Sequence, residues 1–233
     1  MRPPRSALAG SATYAFLGLL WLGLFRPAYG PGLATWVLGL ALAGLFLAGW
    51  ANQVTLARAY LAAPAFVYST TGGNTSLGYL AVTVAVAGLS DLLDGFVARR
   101  VDAQTKVGGA LDPVVDGLFF GAVATGLAVA GAYPSWLAGL VVVRYLLPAA
   151  IGAALLISGR DPHIQHTPLG QLATTVIAVM LGGVALLRGL GLDSGAMIVA
   201  GEVIIPLATL AAFVNLFRAN RTSIMRSEGE ANG

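Results

Sequence analysis

Between Ser90 and Phe120 the chain reads SDLLDGFVARRVDAQTKVGGALDPVVDGLFF, a stretch that contains Asp91, Asp94, Asp112 and Asp116. Carboxylates at such spacing can hold hard cations, take a proton from a hydroxyl, or do both. On a helix Asp91, Asp94, Gly95 and Ala98 fall at i, i+3, i+4 and i+7 and form one stripe, while Gly108, Asp112 and Asp116 form a second. Each stripe places two acids beside residues with little or no side chain, so a flat or charged ligand can approach the backbone. The short basic connection through Arg99, Arg100 and Lys106 predicts that the two helices are antiparallel neighbours whose acids converge on one pocket. Oxygen donors without His or Cys point to magnesium or manganese, with room for two ions, rather than zinc; calcium suits phosphate chemistry less well. Plainer readings exist for each residue alone. Asp112 before Pro113 fits a helix N-cap, Asp91 and Asp94 fit charges at a helix end, Gly95 and Gly108 fit packing points, and Asp102 fits a solvated loop. Four acids on two facing stripes together favour a site.

The elements that must position these acids are apolar. Of 233 residues 57% are hydrophobic and only 10% charged, against about 25% charged in an ordinary soluble domain. Runs long enough to cross a hydrocarbon core recur at roughly 7–25, 32–50, 54–70, 77–98, 108–131, 135–157, 168–190 and 195–217. They predict an all-α integral membrane protein and leave no sizeable soluble domain. The first run follows Arg2 and Arg5 but contains Trp21 and ends in FRPAYGPG, so it reads as a retained span rather than a cleaved signal. An Asp at the bilayer centre costs about 2.5–3.5 kcal/mol, so four would cost on the order of 10 kcal/mol, which bound cations and proximity to the interface would offset. There are no cysteines, hence no thiolate metal site. A formal charge of +3 could suggest nucleic acid, but in a membrane protein the placement of basic residues matters more, and no nucleic-acid partner is expected. With the N-terminus inside, the inner face collects Arg2, Arg5, Arg99, Arg100, Lys106, Arg160, Arg218, Arg221 and Arg226 and leaves Arg26 and Arg188 outside. Both termini, the acidic stretch and the loop SGRDPHIQHTP are then cytoplasmic. The polar tail RANRTSIMRSEGEANG is expected to be mobile.

The stretch DLLDGFVARRVDAQTKVGGALDPVVD resembles the signature of the CDP-alcohol phosphotransferases (CDP-alcohol phosphatidyltransferases), DxxDGxxAR, eight residues, then GxxxDxxxD. Asp91, Asp94, Gly95, Ala98, Arg99, Gly108, Asp112 and Asp116 fill every fixed position. A weaker resemblance covers residues 52–218, through NQVTLARAYLAAP and GQLATT. It implies a six-helix catalytic membrane domain at 52–218, preceded by two additional transmembrane helices within 1–51 and followed by a short polar cytoplasmic tail at 219–233. It implies that Asp91, Asp94 and Asp112 are the main ligands of Mg2+ or Mn2+, two ions in all, with Asp116 near them as catalytic base. Gly95, Ala98, Arg99 and Gly108 would join Asp94 in contacting the CDP moiety. The implied reaction moves a phosphatidyl group from CDP-diacylglycerol to the hydroxyl of a small alcohol and releases CMP, in phospholipid biosynthesis. A homodimer in a bacterial or archaeal cell membrane is also expected from the resemblance.

The alcohol is less legible. Arg58 and Arg144 are the candidate acceptor-binding residues, because arginine matches phosphate with a fork of donors, and glycerol 3-phosphate is the first acceptor considered. Arg144 lies mid-span in LVVVRYLLP and should face the bundle interior, whereas Arg58 could instead snorkel from a helix end. Arg160, His163 and His166 are further candidates for a phosphorylated acceptor, with ordinary solvated roles expected for the two His residues in their polar loop, and Glu202 is expected to make a structural hydrogen bond. Against the pattern of phosphatidylglycerophosphate synthases, Gly117 stands where Lys or Arg is frequent, Tyr145 where Asp is common and Gln171 where Lys is frequent. Fewer cations weaken the case for a phosphorylated acceptor and leave inositol phosphate, serine, phosphatidylglycerol or a non-lipid CDP-alcohol donor open. A divalent-cation transporter is the rival from another class. It would need acids along a path through the bilayer, yet outside this stretch only Asp193 and Glu202 fall toward the outer half.

Overall fold

The structure is a computed structural model that describes the backbone of residues 3–101, 106–157 and 168–231, and within these the side chains outside 91–110, 149, 151–168, 217 and 219–231. The described residues form helices and connecting turns, with no strand among them. In chain order the helices are α1 Arg5–Phe25, α2 Gly30–Gly44, α3 Trp50–Thr71, α4 Gly73–Val101, α5 Lys106–Val129, α6 Ser135–Ile157, α7 Pro168–Gly189 and α8 Gly195–Ala231. Each of the eight apolar runs therefore becomes a helix.

Two of the reversals share one device. At the end of α5, Gly131 has φ +67°, Ala132 N–H donates to Leu127 C=O and Gly131 N–H to Ala128 C=O. At the end of α7, Gly191 has φ +72° and the same pair of bonds runs from Leu192 to Leu187 and from Gly191 to Arg188. This paired closure satisfies the last carbonyls and needs a left-handed residue, which glycine supplies without strain.

Helix α3 is the hub. Both α4 and α5 pack on it, α6 packs on α5, α7 on α4 and α8 on α7, while α1 and α2 pair with each other and also touch α3. Among the described residues α4 and α5 do not form a principal packed pair; each lies against α3 instead. The expected approach of the two acid stripes falls largely on residues 91–110, whose side chains lie outside those described. The main core is built from Leu80 of α4, Phe119 and Leu127 of α5, Leu137 of α6, Ile177 and Leu181 of α7 and Ile205 of α8, all fully buried. Leucine and valine side chains also cover much of the outer surface, the pattern of helices that face lipid outside and one another inside.

Arg5–Phe25, Leu111–Val129, Leu169–Gly189 and Gly195–Leu216 are long and apolar enough to cross a membrane. Helix α3 is less apolar because it buries Asn52, Gln53, Thr55, Arg58 and Ser69. Helix α2 has 15 residues, a length of about 22 Å, which is short of a hydrocarbon core of roughly 30 Å. The backbone of the polar tail continues α8 as one helix to Ala231. Its run of Arg, Ala, Met and Glu contains no proline and favours helix.

Candidate active site

Asp112 and Asp116 lie inside α5, the seventh and eleventh residues from its start at Lys106, so Asp112 is not an N-cap and Pro113 is not a first-turn residue. Their i, i+4 spacing brings both carboxylates to one face, and Arg58 of α3 meets them there. Its Nη1 donates to Asp116 Oδ1, and its Nη2 lies 3.6 Å from Asp112 Oδ1. The Arg58 side chain is 3% exposed and that of Asp116 15%, so Arg58 does not snorkel to an interface. One arginine compensates two carboxylates, and with Asp116 it forms a buried pair whose cost is tolerable only because each partner answers the other.

Asp112 differs from Asp116. Its side chain is 44% exposed, yet its Oδ1 is buried and has no hydrogen bond. A hard, negatively charged oxygen with unfilled acceptor capacity fits a divalent cation. Among the described residues no group of three metal-ligating side chains is gathered. The side chains of Asp91, Asp94, Gly95, Ala98, Arg99 and Gly108 lie outside the described residues, although the helical backbone of α4 runs through residues 91–99 and that of α5 through 108. Arg160, His163 and His166 also lie outside them.

A second polar layer adjoins the acids. Arg144 of α6 is 7% exposed, and its Nη2 donates to Gly170 C=O at 2.9 Å and to Thr174 Oγ1 at 3.2 Å. Its guanidinium carbon lies 5.4 Å from the centre of the Tyr145 ring. The Tyr145 hydroxyl is 3.4 Å from Thr174 Oγ1, and Thr174 Oγ1 donates to Gly170 C=O at 3.2 Å. Arg144 therefore faces the interior, as its mid-span position predicts. Among the described residues its hydrogen-bond partners are neutral, and its Nε is buried without one, an arrangement that suits an anionic ligand.

The two layers meet at Gly117. A Cβ on this residue would stand 2.8 Å from Tyr145 Cβ and 3.4 Å from its Cγ, so the Tyr145 ring packs directly on the backbone that follows Asp116. Phe120 flanks the same ring, 6.1 Å away and 18° from parallel. Gln171 is exposed. Glu202 makes no hydrogen bond among the described residues, contrary to expectation; it lies near Tyr133, whose phenol is pushed up by burial first and by that carboxylate second. Sequence reasoning missed the pairing of Arg58 with the two acids and the roles of Thr174 and Gly170. The joint departure at Gly117 and Tyr145 was the one visible sign that these positions interact.

The family described as CDP-alcohol phosphatidyltransferase matches residues 48–214, more than half of the chain. The chain belongs to this family. A probable cardiolipin synthase (CMP-forming) of Drosophila melanogaster is 34% identical over 155 residues, which cover 63% of this chain and 47% of the relative. The cardiolipin synthase (CMP-forming) of Streptomyces coelicolor is 33% identical over 103 residues, 44% of this chain and 47% of the relative. A CDP-diacylglycerol–glycerol-3-phosphate 3-phosphatidyltransferase of Bacillus subtilis is 28% identical over 143 residues, 55% of this chain and 72% of the relative. The chain thus spans about half the length of the first two relatives. CDP-alcohol phosphatidyltransferases generally depend on a divalent metal, and the acid stripe of α5, where Asp112 Oδ1 accepts no hydrogen bond, fits that requirement. The match opens just before α3, so α1 and α2 both precede the stretch that defines the family.

Proposed function

We propose that the protein transfers the phosphatidyl group of CDP-diacylglycerol to a hydroxyl of a glycerol unit and releases CMP. The observation that carries the reading is the placement of Asp112 and Asp116, the last two fixed acids of the signature, on one face of α5 and braced by Arg58. The acceptor oxygen forms a bond to the phosphorus nearer the lipid, the pyrophosphate bond to CMP breaks, and the hydroxyl proton passes to the Asp116 carboxylate. Arg58 holds that carboxylate in position through its hydrogen bond. Arg144, with Nε unsatisfied, binds an anionic oxygen of the acceptor, and Thr174 and Gly170 hold it in place.

Asp91, Asp94 and Asp112 would hold one or two Mg2+ or Mn2+ ions, with Asp116 beside them, and such ions would neutralise the pyrophosphate charge and stabilise the departing CMP. Gly95, Ala98, Arg99 and Gly108 would line the CDP. The site lies at the cytoplasmic face, with both termini on the same side, and the diacyl tails enter laterally from the bilayer. A six-helix catalytic domain α3–α8 carries the chemistry, α1 and α2 are additions to it, and the protein works as a homodimer.

The names of the relatives favour a glycerol-based acceptor, either phosphatidylglycerol, as cardiolipin synthesis requires, or glycerol 3-phosphate. The purified protein in lipid, given CDP-diacylglycerol and Mg2+ or Mn2+, should release CMP when either of these is added and not with serine or inositol phosphate. Absence of acceptor-dependent CMP with every alcohol would overturn the proposal, and cation flux in liposomes would establish the transporter reading instead.

A further inference from the structure

Helices α1 and α2 precede the family match, yet they pack on α3, the helix that carries Arg58. Val37 of α2, Leu56, Ala59 and Tyr60 of α3 and Val115 of α5 form one buried cluster, against which Leu111 of α5 also packs. Leu111 and Val115 each immediately precede an acid, Asp112 or Asp116, and Ala59 immediately follows Arg58. The cluster therefore touches a chain neighbour of every member of the ionic triad.

Directed bonds accompany the apolar contacts. Trp36 Nε1 donates to Ala59 C=O at 3.2 Å, and Tyr14 Oη donates to Gln53 C=O at 2.9 Å. The fully buried Gln53 side chain returns two bonds, to Gly44 C=O at 3.0 Å and Leu47 C=O at 2.8 Å. These bonds fix how far α3 is rotated about its own axis. Consecutive helical residues are about 100° apart, so a clamp on Ala59 sets the direction in which Arg58 points. A small turn of α3 carries the end of so long a side chain through about 1 Å, a misplacement that can lower turnover about a hundredfold.

We propose that the α1–α2 pair is a positioning element of the active site, which holds Arg58, Asp112 and Asp116 in register from behind, with Val37 and Trp36 as its positioning residues. The proposal rests on the phosphatidyl-transfer reading for its catalytic consequence, and on geometry alone for its effect on the acids.

The test compares matched truncations in the full-length protein. Val37→Ala removes two methyls from the cluster of α2, α3 and α5, and Val184→Ala removes the same two from a fully buried site in the main core. Both variants should lower the unfolding temperature. Only Val37→Ala should also weaken Mn2+ binding, read by electron paramagnetic resonance, by about fivefold or more, and lower kcat about tenfold at unchanged KM for the CDP-lipid. Trp36→Phe, which keeps a ring but loses the bond to Ala59, should move the same readouts less and in the same direction. Equal shifts in Mn2+ affinity and kcat for Val37→Ala and Val184→Ala would overturn the proposal. A parent protein that binds Mn2+ but makes no acceptor-dependent CMP would remove the transfer reading, while the Mn2+ comparison would still decide the positioning claim. A parent that does neither removes both.

Discussion

Arg58 of α3 donates to Asp116 of α5 across the helix interface, and its second terminal nitrogen lies 3.6 Å from Asp112 on the same face. A cation from the first helix of the matched stretch is thus placed between two acids of the signature. It counters their mutual repulsion and ties the orientation of α3 to that of α5.

Removal of this cation should cost both stability and turnover. Arg58→Gln removes the ion pair with the Asp116 carboxylate, which is 15% exposed, a change worth about 2–4 kcal/mol once the partial exposure of Asp112 is discounted. Thermal unfolding in detergent should show the loss, and added Mg2+ should recover part of it by supplying charge to the same acids. Unchanged unfolding temperature in Arg58→Gln would show that the pair does not brace the site.

The close contact of Gly117 with Tyr145 predicts a non-additive pair. Gly117→Ala places a methyl 2.8 Å from Tyr145 Cβ, an overpacking that costs about 1–3 kcal/mol. In Gly117→Ala with Tyr145→Gly the Cβ that the new methyl would meet is absent, so the double variant should be more stable than the sum of the two losses by about 1 kcal/mol or more. Unfolding of the parent, both single variants and the double variant measures this; strict additivity would contradict the packing.

Arg144→Gln keeps hydrogen-bonding groups but removes the charge whose Nε the protein leaves unsatisfied. KM for a phosphate-bearing acceptor should rise roughly tenfold to a hundredfold, the worth of one hydrogen bond to a charged group, while KM for the CDP-lipid stays the same. Steady-state kinetics with each substrate varied in turn provides the check. An unchanged acceptor KM would make Arg144 purely structural.

Chelation should abolish CMP formation, and either Mg2+ or Mn2+ should restore it. An ion that binds the folded state alone at a hundred times its Kd stabilises by about 2.7 kcal/mol, so the unfolding temperature should rise with Mg2+ in the parent and much less in Asp112→Asn. Full activity in excess chelator would exclude a metal-dependent site.

Much of this was legible in the sequence, because hydrophobic runs and helical spacing are local properties. All eight helices follow from apolar runs, and the common face of Asp112 and Asp116 follows from their spacing alone. What was not legible depends on which helices touch. Nothing local places α3 against α5, so the contact of Arg58 with Asp112 and Asp116 could not be read from its place in the sequence. The packing of Tyr145 on Gly117 likewise needs the approach of α6 to α5, and each residue alone registered only as a departure from a pattern. The ends of elements were the other loss: α2 stops at Gly44, and α8 continues through a polar tail whose composition resembles a mobile end.

The most direct test is CMP formed from CDP-diacylglycerol and phosphatidylglycerol or glycerol 3-phosphate, compared between the parent protein and Asp116→Asn at equal nucleotide binding. The account predicts acceptor-dependent CMP from the parent and a rate lower by about 10²–10⁴-fold in Asp116→Asn, with CDP binding retained. Equal rates in the two proteins would contradict the assignment of Asp116 as the base.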